Sequence, residues 1–237
     1  MLRGMRFTFD QFAGGCAFLY VLAQAFQEVV LRSTRTIASE QPILIRLNGA
    51  DEARAFILLL SFFGLLAVFS ALSLRCFEES PGPAVFGLCG GFLWIASELF
   101  YRTVDFFLVT RTWAVQYLQA GAASLQDAVA QRIHIWDELV SAWYFVLLLA
   151  YLIASVSFGL SIPGNRRRDK ILSIIFFANS LSLVGRFLEE YAGQKWLASF
   201  NHAVHFPVVL SVFGFLGFWL IASVRNLTTS CRSAVSL

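Results

Sequence analysis

The chain has 237 residues, of which 58% are hydrophobic and 14% charged, and its formal net charge is +3. An ordinary soluble domain is about 45–50% apolar and about 25% charged, so this composition excludes a soluble globular fold and a charge-rich disordered chain alike. Only two lysines, Lys170 and Lys195, and four cysteines argue against a nucleic-acid binder and against a disulfide scaffold.

Six segments reach the roughly 20 mostly apolar residues that cross a bilayer. They are 12–31, 55–74, 84–109, 139–162, 171–191 and 203–224. The expected fold is all-α, a single polytopic domain of six membrane-spanning helices. A β-barrel would alternate over about 10-residue strands, and these runs are continuous.

In chain order, the first span carries Tyr20, Gln24, Gln27 and Glu28. The second holds only serines as polar residues, Ser61, Ser70 and Ser73. That predicts a position at the lipid-facing edge, with Phe56, Phe62, Phe63 and Phe69 turned to lipid or a neighbouring subunit. Ser80-Pro81-Gly82-Pro83 separates the second span from the third. The third carries Glu98, Arg102 and Asp105 at i, i+4 and i+7.

The stretch 112–136 has apolar Leu118, Leu125, Val129 and Ile133 at helical spacing. It predicts an amphipathic helix between spans three and four, lying on the outer interface or extending span four. His134, Asp137, Glu138 and Ser141 open the fourth span, and Pro163-Gly164-Asn165 ends it. The fifth carries Asn179, Ser182, Arg186 and Glu189 at i, i+3, i+7 and i+10, with Glu190 beside them. His202 and His205 open the sixth. Pro207 nearby argues against a regular helix through both histidines.

Orientation follows from the basic residues. The densest run is Arg166-Arg167-Arg168-Asp169-Lys170, and the tails carry Arg3, Arg6, Arg225 and Arg232. The positive-inside rule then puts both termini in the cytoplasm; the expected location is a bacterial inner membrane. All four cysteines fall near the cytoplasmic side, where disulfides do not persist, so none is expected.

The polar residues inside the spans share a level. At 1.5 Å per residue, Glu98, Arg186, Glu28 and His205 lie about 21, 22, 24 and 28 Å from the inner ends of their spans. Against a core of about 30 Å this is the outer third. Charges at membrane depth cost roughly 2.5–3.5 kcal/mol each on insertion scales and usually face a bundle interior or a cavity.

Three functions fit that pattern. One is an outward-facing, acid- and histidine-lined cavity for a small ligand, ion or lipid, formed by Glu28, Glu98, Arg102, Asp105, Glu138, Arg186, Glu189 and Glu190. In it, Arg102 and Arg186 suit an anionic group. The second is a membrane-embedded enzyme whose cofactor is a divalent metal ion, held by His134, His202, His205 and nearby carboxylates. The third is an accessory subunit without a site, whose polar side chains join helices. The expected partners are the lipid bilayer and a homo-oligomer or larger membrane complex. No phosphate loop, nucleophile elbow or dinucleotide fingerprint is present.

Overall fold

The computed structural model describes the backbone of residues 2–40, 48–164 and 166–235, and the side chains of 9–33, 48–164, 166–201 and 203–222. Helices account for nearly all of it. α1 is Leu2–Glu40, α2 Gly49–Cys76 and α3 Pro81–Val104. α3 continues through a π-helical segment, Asp105–Ala114, into the short α4, Val115–Gln119. α5 is Ala123–Ser161, α6 Arg167–Tyr191 and α7 Ala198–Val235, with a single 3-10 turn, Lys195–Leu197, before α7. Six of these helical runs are long and apolar enough to cross a membrane, and the protein is an integral membrane protein built as a six-helix bundle.

Local chemistry explains the helix ends. Asn48 caps α2 by accepting the Ala50 N–H at 3.0 Å, and Asp51 and Glu52 stand at its positive N-terminus with Arg75 at the other end. Pro81 occupies the first turn of α3, where its missing N–H costs nothing. The Asp169 carboxylate accepts the Arg166 N–H at 3.2 Å and caps α6. After α6 the chain turns at Gly193, φ +70°, which lets the Gln194 N–H reach back to the Leu188 carbonyl.

The helices close into a ring. α1 packs on α2, α2 on α3, α3 on α5, α5 on α6, α6 on α7, and α7 returns to α1. The axis is filled by aromatic rings. Trp94 of α3 stacks on Tyr151 of α5 at 4.2 Å, and Phe69 of α2 stacks on Phe158 of α5 at 5.5 Å. Tyr20 of α1 meets Phe213 of α7 edge-on at 4.5 Å, and Phe62 of α2 meets Trp94 at 5.5 Å. Such pairs add about 0.5–1.5 kcal/mol each beyond the area they bury.

The second span therefore departs from the sequence expectation. α2 lies within the ring, and Phe62 and Phe69 are 1% exposed, whereas Phe56 and Phe63 do face outward. A span without charges signals the lipid-facing edge only if the interior is polar; here the interior at mid-depth is aromatic.

Glycines set the closest seam. A Cβ on Gly90 of α3 would lie 2.8 Å from the Ala154 nitrogen and 2.9 Å from the Ala150 oxygen of α5. Gly87 gives way to the ring of Phe158, and Gly91 to that of Phe69. Membrane helices associate through such small residues, because lipid offers no hydrophobic drive between them.

Beyond the bundle, α3 to α4 and α5 form an antiparallel pair. Each run, Pro81–Gln119 and Ala123–Ser161, has 39 residues. At 1.5 Å per residue that is about 58 Å, nearly twice the hydrocarbon core. The amphipathic stretch between spans three and four thus extends the fourth span and does not lie flat as a separate helix. Val129 and Ile133 are buried against Val109, Trp113, Tyr117 and Trp136 in a small second core, while Leu118 and Leu125 stay exposed. Glu52 of α2 ties down the π segment by accepting from Arg111 Nε at 2.7 Å.

α7 also differs from expectation. It runs as one helix through positions 202 and 205 with Pro207 inside it. Proline removes one backbone bond, a loss that membrane helices tolerate when neighbouring groups compensate.

Candidate functional site

Two polar layers bracket the aromatic axis. At the end where α2 turns into α3 and α5 into α6, four helices are tied together. Arg75 of α2 donates to Asp10 of α1 through Nε at 3.1 Å and through a second nitrogen, and its guanidinium lies 5.4 Å over the Trp219 ring of α7. The Trp219 indole N–H donates to Asp169 of α6 at 2.7 Å. Asp10 and Asp169 are 8% and 5% exposed, and each of these buried charges is met by a partner on another helix, Arg75 of α2 and Trp219 of α7. Sequence reading passed over Asp10 and Asp169, because both lie at span ends where a charge looks like ordinary solvated surface.

The other layer contains Glu98, Arg102, Arg186 and His205, four of the residues singled out from the sequence. Arg102 Nε donates to Glu98 at 2.8 Å, one turn back on α3, and its guanidinium lies 5.2 Å over Phe62 and 5.7 Å over Tyr101. Tyr20 of α1, which hydrogen-bonds Gln24, lies within electrostatic reach of Glu98, Arg102 and Tyr151. On the far side of the ring, Arg186 of α6 lies 5.2 Å over the Tyr144 ring of α5, and its Nη1 is 2.9 Å from His205 Nε2 of α7. Tyr144 is within electrostatic reach of Arg186, Glu98 and Glu190 together. Five helices therefore contribute to one layer above the aromatic axis.

Of the acids in and around this layer, Glu189, Asp105, Glu28 and Glu138 each have a partner. Glu189 accepts from Asn201 Nδ2 at 2.6 Å, and Asp105 takes the Trp136 indole N–H at 3.4 Å. Glu28 pairs with Arg32 at 2.7 Å along α1. His134 and Glu138 stand 3.4 Å apart on a side of α5 where both are about 70% exposed. Glu190 is exposed. A recess of about 200 Å³ opens between α3 and α5, and its walls are Phe100, Tyr101, Trp136, Leu139, Val140 and Trp143 rather than the acids and histidines.

Arg186 stands apart from Arg102. An arginine at membrane depth ordinarily takes a carboxylate partner, as Arg102 does. Among the described residues no carboxylate forms an ion pair with Arg186; its partners are an imidazole and a phenol ring. Because the guanidinium can only donate, His205 Nε2 must present its lone pair and carry its proton on Nδ1.

The proposed metal ligands are not gathered by the described residues. His134 faces outward on α5, His205 Nε2 already receives an N–H, and the side chain of His202 lies outside the described residues. Among the described residues no three His, Cys, Asp or Glu side chains come together in a metal-binding group. Cys16 and Cys76 are buried, Cys89 is exposed, and none of the three is bridged.

These features define an integral membrane protein with a closed aromatic axis and a layer of arginine, tyrosine, glutamate and histidine at one end. Comparison with known protein families, with curated proteins and with solved structures finds no match.

Proposed function

We propose that the protein binds an anionic group, a phosphate or carboxylate of a small ligand or lipid headgroup, from the side of the membrane opposite the basic 166–170 segment. Arg186 is the anchoring residue. The reading rests on one observation: its guanidinium sits at membrane depth with neutral partners, His205 and Tyr144. Four of its five N–H donors are left for a ligand once His205 has taken one. A charge in a low-dielectric layer is strongly stabilised by an opposite charge, and a bound anion supplies it. Tyr144 and Arg102 border the same layer, and the aromatic rings below exclude passage along the axis, so binding is one-sided.

The test is ligand-dependent stability. Purified protein is titrated with short-chain phosphatidylglycerol, short-chain phosphatidylcholine and inorganic phosphate, and melting temperature is followed. Binding to the folded state at 100 times Kd stabilises by about 2.7 kcal/mol. A shift with phosphatidylglycerol or phosphate that exceeds the phosphatidylcholine shift, and is lost in Arg186→Gln, supports the reading. Phosphatidylglycerol acting alone identifies a lipid headgroup, and phosphate acting as well identifies a free anion. An identical response in wild type and Arg186→Gln assigns any effect to the basic segment at the other face and removes the proposal.

A further inference from the structure

The recess between α3 and α5 is walled by four aromatic rings, Phe100 and Tyr101 from α3 and Trp136 and Trp143 from α5, around a space of about 200 Å³. Tyr101 and Trp136 stand nearly parallel, 19° apart, with centroids at 6.4 Å. Phe100 and Trp143 are 5.5 Å apart and inclined at 44°. Drug-sized ligands take cavities of roughly 300–1,000 Å³, so this space suits a smaller group. At 1.5 Å per residue, Phe100 and Trp143 lie about 24 and 29 Å from the inner ends of their spans, at the edge of a core of about 30 Å, where lipid headgroups begin. Both rings are exposed, so the recess opens sideways at that level.

A tryptophan that merely anchors a helix at the interface keeps its N–H for the wet side. Trp136 instead turns its N–H to Asp105 at 3.4 Å. The carboxylate adds electron density to the indole and sets a negative charge beside the recess. Ring faces are themselves negative, and Tyr101 already takes a cation. The Arg102 guanidinium lies 5.7 Å from its centroid, with its own charge met by Glu98 at 2.8 Å. The remaining walls are the aliphatic side chains of Leu139 and Val140. A primary ammonium or a hydrated metal ion needs hydrogen-bond acceptors or oxygen ligands that such walls do not supply. A cation sheathed in methyl groups needs neither, and aromatic rings within about 6 Å of it provide its attraction.

We propose that Phe100, Tyr101, Trp136 and Trp143 form an aromatic cage for a trimethylammonium group, the cationic end of choline or of a phosphatidylcholine headgroup. It stands independently of anion binding at Arg186.

Thermal unfolding in a detergent free of quaternary ammonium tests it. Choline chloride is compared with sodium chloride at equal ionic strength and with dimethylbutanol, its neutral isostere with carbon in place of the ammonium nitrogen. Choline should raise the melting temperature above its value in sodium chloride, and the isostere should be several-fold weaker at equal concentration. The shift should vanish in Trp136→Leu and in Trp143→Leu. It should shrink several-fold in Asp105→Asn, which keeps an acceptor for the indole and removes the charge. Trp143 is exposed, so Trp143→Leu keeps the test valid if Trp136→Leu does not fold. Arg186→Gln should retain the whole choline response, which separates the cage from anion binding. Short-chain phosphatidylcholine that displaces choline assigns the group to a lipid headgroup, and choline that it does not displace is a free ligand; either outcome upholds the cage. Equal shifts with choline and dimethylbutanol would make the recess a plain apolar slot and overturn the proposal. A choline response no greater than that of sodium chloride, or one that Trp143→Leu leaves unchanged, overturns it as well.

Discussion

Replacing Gly90 by alanine tests the ring where two backbones meet most closely. The added methyl would stand 2.8 Å from the Ala154 nitrogen and 2.9 Å from the Ala150 oxygen. Ordinary carbon contacts lie near 3.5–4.0 Å, and a radial gap of 0.5–1 Å forfeits a quarter to a half of the dispersion energy. Because both obstacles are backbone, no rotamer change relieves the clash; α3 and α5 must separate by roughly 0.6–1 Å. Overpacking of this kind costs about 1–3 kcal/mol. Alanine regains about 0.5–1 kcal/mol of helix propensity over glycine, so the net loss lies between about 0 and 2.5 kcal/mol, with its centre near 1 kcal/mol. Gly15 and Gly214 serve as controls, as a Cβ at either meets nothing within 4 Å. There alanine should be neutral or stabilise by up to about 1 kcal/mol. Thermal unfolding in detergent ranks the three variants. Gly90→Ala should melt several degrees below wild type, with the other two at or above it. If all three melt alike, the α3–α5 seam is not close-packed and the argument fails.

Two further outcomes follow from the polar layers. Asp169→Leu removes the acceptor of the Trp219 indole and the cap of α6, about 1 kcal/mol each, so unfolding should ease by about 2 kcal/mol. Asp169→Asn, which keeps an acceptor oxygen, should lose less than half of that, and equal losses would show that charge and not hydrogen bonding matters there. Removal of divalent metal by a chelator should leave the melting temperature unchanged, because His205 Nε2 is engaged by Arg186; a fall that zinc or manganese restores would return the histidines to a metal-binding role.

Much of the fold was legible because membrane spanning is a local property of composition. Twenty apolar residues bounded by Ser80-Pro81-Gly82-Pro83 or Pro163-Gly164 need no knowledge of neighbours to be read as helices. A common depth for Glu98, Arg186, Glu28 and His205 was expected because helical rise converts sequence position into height; Glu98, Arg186 and His205 border one layer, while Glu28 pairs with Arg32 along α1. Individual partners were legible only in part. The i,i+4 spacing offered Glu98–Arg102 and Arg186–Glu190 as local pairs; the first forms, whereas Arg186 turns to His205 on another helix. The role of Pro207 was misread because its lost bond is judged by helix propensity in the sequence, but by neighbouring packing in the bundle.

By itself, then, the amino-acid sequence determined six spans and the position of each charged residue along its span, both of which depend on one helix at a time. Only the tertiary structure decided that α7 closes the ring on α1, that Phe62, Phe69, Trp94, Tyr151 and Phe158 fill its axis, and that Arg186 is left with neutral partners. These are matters of which helix faces which. A helix fixes the direction of a side chain about its own axis, and the identity of what it meets comes from the packing of the others.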